Sequence, residues 1–142
     1  MCGIIGYISD SSYSIESFKY YRDLMDYRGP DRSGIWKNEN GKILLGHRRL
    51  SIIDLSENAN QPMISRCERY VLVFNGEIYN FVEIREILLN KDHKFFSNSD
   101  SEVIINAYKE WGESCLNYFN GMFSFAILDL GDESNEKNLF FC

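Results

Sequence analysis

The apolar patterning of the chain predicts an α+β fold built on antiparallel sheets. Three observations carry that expectation. Strand-like runs come in consecutive groups instead of alternating singly with helices, the helical patterns cluster between those groups, and an Asn40-Gly41 dipeptide joins two neighbouring runs as a hairpin. Taken in order, Cys2 to Ile8 is a short apolar run with two glycines, short enough for a buried strand at the head of the chain. From Ser14 the spacing turns helical, with Ile15, Phe18, Tyr21, Leu24 and Met25 three or four residues apart and Ser14 placed as N-cap; Gly29 and Pro30 should end that helix near Tyr27. Gly34 to Lys37 and Lys42 to His47 read as the two arms of the hairpin around the turn Asn-Glu-Asn-Gly. Ser56 to Gln61 is a polar loop. Tyr70 to Phe74 is β-branched and aromatic, and Asn75-Gly76 reads as a turn that stops it. Phe81, Ile84 and Leu88 mark one amphipathic helix, and Val103, Ala107, Tyr108 and Trp111 a second, opened by Ser99 or Asp100 as cap. Met122 to Asp129 and Asn138 to Phe141 are two further strands.

The 142 residues suit one domain, and 44% hydrophobic with 15% aromatic content supplies a real core. No internal repeat and no linker-like stretch interrupts it. A formal charge of −6 disfavours a nucleic-acid footprint, because phosphate contacts need clustered Lys and Arg. No apolar run approaches the roughly 20 residues that span a bilayer. The start MCGIIGYISD lacks the basic segment of a secretory signal, so a cytoplasmic location is expected. The last strand runs into Phe140-Phe141-Cys142 without a turn or polar tail, the pattern expected of a domain cut short at its C-terminus.

Cys2, Cys67, Cys115 and Cys142 show neither CxxC pairing nor a neighbouring His cluster, so no metal site is expected. Cys67, in the charged run RCER, reads as peripheral and Cys115 as a packing residue. Cys2 is different. Removal of Met1 would set a free α-amino group, titrating near ~7.7 to 8.0, beside an intrinsically nucleophilic thiol. Taken alone, a cysteine at position 2 is weak evidence, and a structural role is the better reading. His47 and His93 stand apart with no matching acid motif, and a structural His47 is the preferred reading.

The surrounding motifs change that balance. MCGIIGYI, RGPDRSG, GHRRLSIIDL with NQPM, FNGEIYN, and SDSEVIINAY with GMFSFAILD resemble, in order and across nearly the whole chain, the signatures of the asparagine synthetase glutaminase domain, a class II glutamine amidotransferase. Where the related glutamine:fructose-6-phosphate amidotransferases have YRGYDS and HNG, this chain has YRGPDRSG and FNGEIYN; phosphoribosyl-pyrophosphate amidotransferases diverge at the same places. The resemblance implies a four-layer αββα N-terminal nucleophile hydrolase over residues 1–142, incomplete at its C-terminus. It implies Cys2 as the nucleophile that forms a γ-glutamyl thioester and releases ammonia, with the Asn75 side-chain amide and the Gly76 N–H as oxyanion hole. Glutamine is a zwitterion, and its site needs both charges. By resemblance Arg49 takes the α-carboxylate and Asp100 the α-ammonium, with Asn75 and Glu77 also at the substrate; Asp100 also fits as a helix cap, and the two roles are compatible. Arg28 and Asp31 of RGPD belong to a loop near the cysteine, with an architectural task.

No cofactor is expected in this chain. ATP and Mg are expected for a synthetase domain, normally on the same polypeptide, that would use the ammonia to make asparagine from aspartate. That domain is the expected partner, a homodimer is allowed, and neither nucleic acid nor membrane is expected. Two other readings stay open: the same glutaminase serving another carboxylate acceptor, and a truncated, non-catalytic domain of marginal stability.

Overall fold

Two antiparallel sheets stack face to face, with helices on their outer sides. A computed structural model describes residues 1–131 and 138–142. The first sheet holds β1 (Gly3–Ile8), β2 (Arg32–Lys37) and β3 (Ile43–Arg49) in the order β1-β3-β2. The second holds β4 (Met63–Ile64), β5 (Tyr70–Ile78), β6 (Gly121–Asp129) and β7 (Asn138–Phe141) in chain order. Helix α1 (Ile15–Asp23) packs on β1 and β3; α2 (Phe81–Leu89) and α3 (Asp100–Trp111) pair with each other, and α3 packs on β5.

The layering follows from the two-residue period of the central strands. On β5, Val71 and Val73 face the first sheet, where with Leu45, Ala126 and Leu128 they form the inter-sheet core. Leu72 and Phe74 face the other way, onto Ile84, Leu88, Val103, Ile104 and Ala107 of the helices. β6 alternates in step: Phe125 and Ile127 join the helix side, Ala126 and Leu128 the inter-sheet side. Strands buried on both faces read as continuous apolar runs, the form both strands take in the sequence. On β3, Leu45 and His47 share the inward face, while α1 places Phe18 on the outer one.

Local sequence accounts for most boundaries. Ser14 caps α1, accepting a hydrogen bond from Ser17 N at 3.3 Å. The helix ends at Asp23, earlier than the expected Tyr27, because residues 24–29 continue as overlapping turns, with Met25 N on Arg22 O and Arg28 N on Met25 O. In the hairpin, the Asn38 and Asn40 side chains accept from Ile43 N and Lys42 N at 3.0 and 3.1 Å. Ser99, not Asp100, caps α3, accepting from Glu102 N at 3.3 Å; Asp100 is the first helical residue, so its role as a cap is corrected.

The main departure concerns Asn75-Gly76. These residues do not form a turn: β5 runs on through Ile78, with Asn75 opposite Ser124, Gly76 opposite Phe123 and Ile78 opposite Gly121. Nine continuous rungs to β6 override the local turn preference of Asn-Gly. The short strand β4 and the 3-10 turns at Glu57–Ala59 and Gly112–Tyr118 were not expected from the sequence.

Candidate active site

Cys2 lies immediately before β1, at the end of the first sheet where β3 delivers Arg49. The Leu50 N–H donates to Cys2 Sγ at 3.4 Å, and the thiol faces the Leu50 carbonyl at 3.7 Å. The segment before β2 holds this end of the chain in place. Arg28 Nε donates to the Cys2 carbonyl at 2.9 Å, Arg48 Nε to the Gly29 carbonyl at 3.0 Å, and Asp31 Oδ2 accepts from Ser51 N at 2.7 Å. Arg28 and Asp31 thus make architectural contacts around the thiol.

Beside Cys2 opens a cleft of about 280 Å³. Its lining brings together Cys2, Arg49, Asn75, Gly76, Glu77 and Asp100, every candidate residue read from the sequence. Arg49 is buried, 6% exposed, and is held by the loop that follows β3. Its Nη1 donates to the Ser56 carbonyl at 3.0 Å and to Asn60 Oδ1 at 2.9 Å, and its Nη2 donates to the Asp54 carbonyl. Asp54 in turn accepts from Ser56 N and Asn98 N at 2.8 and 2.7 Å, tying this loop to the one before α3.

The edge of β5 explains how a strand amide comes to face the cleft. Hydrogen-bonding groups alternate sides along a strand, so residues 70, 72, 74, 76 and 78 point away from β6. Tyr70 O accepts from Ser65 N at 2.9 Å, and Leu72 pairs with Met63 of β4. Extending that register places Gln61 opposite Phe74, but the backbone there has turned onto β2, where a side chain at Gly34 would collide with the Gln61 carbonyl. The Gln61 side chain takes over: its Oε1 accepts from Phe74 N at 2.6 Å. At the far end Asp100 Oδ2 accepts from Ile78 N at 3.2 Å. Gly76 lies between these two capped positions, and its N–H faces the cleft. Only glycine fits there. Its φ is +145°, and a Cβ would collide with the Met122 carbonyl and sit 2.5 Å from Phe123 Cα.

Asn75 sits one residue earlier on the inter-sheet face, its Oδ1 buried with no hydrogen-bond partner among the described residues. The acidic pair lies across the cleft. Burial raises the Asp100 carboxyl above the ordinary carboxylate range, backbone N–H donors from Ile78 and Ser101 oppose the rise, and the charge of Glu77 adds to it. A cation placed between the two carboxylates would relieve that repulsion. His47 is fully buried and donates from Nε2 to the Phe74 carbonyl at 3.0 Å. Burial lowers it to about 4, with the Phe74 carbonyl opposing and the Arg49 charge contributing, so it is a neutral imidazole. His93 instead meets Glu110 at 2.9 Å on another face.

Cys67 is exposed, and burial pushes the Cys115 thiol up to about 12. Among the described residues no group of three or more His, Cys, Asp and Glu side chains comes together to hold a metal. No described helix is long and apolar enough to cross a membrane. Sequence reasoning missed Leu50, which acts through its backbone and leaves no mark in the sequence. It also missed Gln61, a side chain of the NQPM motif whose amide oxygen takes the place of a strand carbonyl on Phe74 N.

A glutamine amidotransferase domain family model matches residues 1–139. The chain is 34% identical over 146 residues to asparagine synthetase [glutamine-hydrolyzing] 3 of Bacillus subtilis (strain 168), covering 99% of this chain and 22% of that protein. It is 41% identical to the asparagine synthetase of Brassica oleracea, over 94% of this chain and 22% of that one. It is 36% identical to a Gibberella zeae protein named amidase chry2, over 91% of this chain and 21% of that one. The chain therefore spans about a fifth of the length of these relatives. Among solved structures, the glutamine phosphoribosylpyrophosphate amidotransferase from B. subtilis superimposes with a TM-score of 0.75 at 20% identity, over 90% of this chain and 35% of that one. That likeness gives the fold, two antiparallel sheets with flanking helices. With the family model matched over 139 of its residues, the chain belongs to the glutamine amidotransferase domain family.

Proposed function

We propose that the chain hydrolyses glutamine to glutamate and ammonia through a γ-glutamyl thioester on Cys2. The observation that carries this reading is the meeting, in one cleft, of a thiol at the head of the chain, a strand amide without a ladder partner, and groups of both charges. With Met1 removed, the Cys2 α-amino group takes the thiol proton, and the thiolate attacks the side-chain amide carbon of glutamine. The carbonyl oxygen becomes an oxyanion, which accepts from the Asn75 side-chain amide and the Gly76 N–H. Neutral donors meet this charge without protonating it, and one such donor contributes about 2.7 to 4 kcal/mol. The carbon–nitrogen bond then breaks, the nitrogen leaves as ammonia with the proton held on the α-amine, and water hydrolyses the thioester to glutamate. The Arg49 guanidinium takes the α-carboxylate and the Asp100 and Glu77 pair takes the α-ammonium, which eases the repulsion between the two acids.

The wider reading takes the chain as a glutaminase domain over residues 1–142, with a synthetase domain beyond it on the same polypeptide. There ATP and Mg would activate aspartate, and ammonia from Cys2 would complete asparagine. Supporting it is the likeness to two proteins named glutamine-hydrolysing asparagine synthetases, each about five times the matched length. A second reading keeps the glutaminase and changes the acceptor; what prompts it is that a relative of similar identity carries a name other than asparagine synthetase. Supplying the full-length protein with glutamine, ATP and either aspartate or other carboxylates, and identifying the amidated product, separates the two.

The glutaminase reading is tested by intact mass spectrometry after exposure to 6-diazo-5-oxo-norleucine. One adduct on a chain lacking Met1, absent from Cys2→Ala, is the expected result. A folded, processed chain that gives no Cys2-dependent adduct overturns it.

A further inference from the structure

His47 stands where an apolar residue would be simpler. It is fully buried between the two sheets, and because the Phe74 carbonyl can only accept, the imidazole proton lies on Nε2. Nδ1 is then an acceptor, buried with no hydrogen-bond partner among the described residues. A buried unmet acceptor is unfavourable, and a leucine or methionine would fill this space without one. The residue choice therefore follows from the bond that His47 makes. That bond falls on one residue. Phe74 is held by its carbonyl from His47 and by its N–H from Gln61, and Gln61 Nε2 continues to Ser101 Oγ on α3 at 3.2 Å. Both grips come from outside the second sheet, one from β3 and one from the loop before β4, at the point where β4 has ended. The gripped residue directly precedes Asn75 and Gly76. His47 is also two residues before Arg49 on the same face of β3, so the contact links the strand of the arginine to that of the oxyanion donors.

We propose that His47 and Gln61 are positioning residues that together hold Phe74, and through it fix the Asn75 amide and the Gly76 N–H relative to Cys2 and Arg49. This rests on the glutaminase reading for its functional meaning and on the hydrogen bonds alone for its structural one. Neither side chain needs to touch the reacting atoms. Their effect appears where the oxyanion forms, so it lowers kcat and leaves KM nearly alone.

The test uses His47→Leu, His47→Gln and Gln61→Leu in the chain, reading the amide resonance of Gly76 in a 1H–15N spectrum together with glutamine turnover. A glutamine side chain carries an Nε2–H donor of its own, so His47→Gln keeps the bond to Phe74. The expected result is a moved Gly76 resonance and a kcat lowered about 10- to 100-fold in His47→Leu and Gln61→Leu, with KM changed less than about threefold; such losses follow a sub-ångström to 1 Å misplacement. His47→Gln should recover both readouts. An unmoved Gly76 resonance with unchanged kcat in both leucine variants overturns the proposal, as does a His47→Gln variant as impaired as His47→Leu. Should His47→Leu fail to fold, Gln61→Leu and His47→Gln decide on the same criteria. If the parent chain turns over no glutamine, the glutaminase reading falls on its own, and the Gly76 resonance still decides whether the two side chains set that amide.

Discussion

Replacing Gly76 with alanine probes the backbone that the whole site depends on. Two penalties add at this position. A φ of +145° is one that L side chains rarely adopt, and holding a residue there costs about 1 to 3 kcal/mol. The new methyl would also collide with the Met122 carbonyl and lie 2.9 Å from Phe123 Cβ, and forcing an extra carbon into a packed strand pair costs about 1 to 3 kcal/mol more. The expected loss is about 2 to 6 kcal/mol, a large part of the roughly 5 to 15 kcal/mol that a domain has. Gly112 supplies the control, because its φ is +57° while a Cβ there meets nothing within 4 Å. Gly112→Ala should show the conformational penalty alone. Urea unfolding followed by circular dichroism measures both, with the slope compared so that a shift of midpoint reports stability. A Gly76→Ala loss no larger than that of Gly112→Ala would refute the collision with β6, and with it the close pairing that aims the Gly76 N–H.

Further outcomes follow from the same geometry. His47 is lowered from 6.5 to about 4, chiefly by burial, so the unfolded chain takes up a proton near 6.5 that the folded chain refuses until about 4. Stability should fall as pH drops through that window, by about 3 kcal/mol from this group in total, and His47→Gln should remove that part of the slope. Asp100, raised by burial, contributes with the opposite sign, its cost relieved as pH falls. Parallel pH–stability curves for the parent and His47→Gln between pH 4 and 6.5 would count against a neutral buried imidazole. Arg49→Lys should raise KM for glutamine about 10- to 100-fold, since a single ammonium cannot hold the Asp54 and Ser56 carbonyls and Asn60 Oδ1 while also binding a carboxylate in two places. Initial-rate kinetics with glutamine check this, and an unchanged KM would show that Arg49 serves only the loop.

Much of the architecture could be read from hydrophobic period. The run at Tyr70 to Phe74 is apolar throughout and that at Phe125 to Leu128 likewise, and both become parts of central strands buried on both faces. The Ser14 cap and the Asn40-Gly41 hairpin formed where local chemistry alone dictates them. The Asn75-Gly76 reading failed because it weighed two residues by themselves, while nine rungs to a strand about fifty residues away decide the outcome. β4 escaped notice because two residues carry no period. The site was legible wherever a side chain performs the contact, as with Arg49 and Asp100. It was illegible wherever backbone does, as with the Leu50 N–H on sulfur, or wherever a side chain stands in for backbone, as Gln61 does on Phe74.

That substitution of side chain for strand bears on how the site would meet a charge that exists only in passing. A donor on a free loop would have to reorient as the oxyanion formed, and the energy of reorienting would subtract from what it gives. Here the Gly76 N–H belongs to the backbone of the longest strand pair among the described residues, with its neighbours on the same edge held at 2.6 and 3.2 Å. The dipole is preorganised by the fold itself, because one rung of a ladder has been left out and the rungs on either side remain in place.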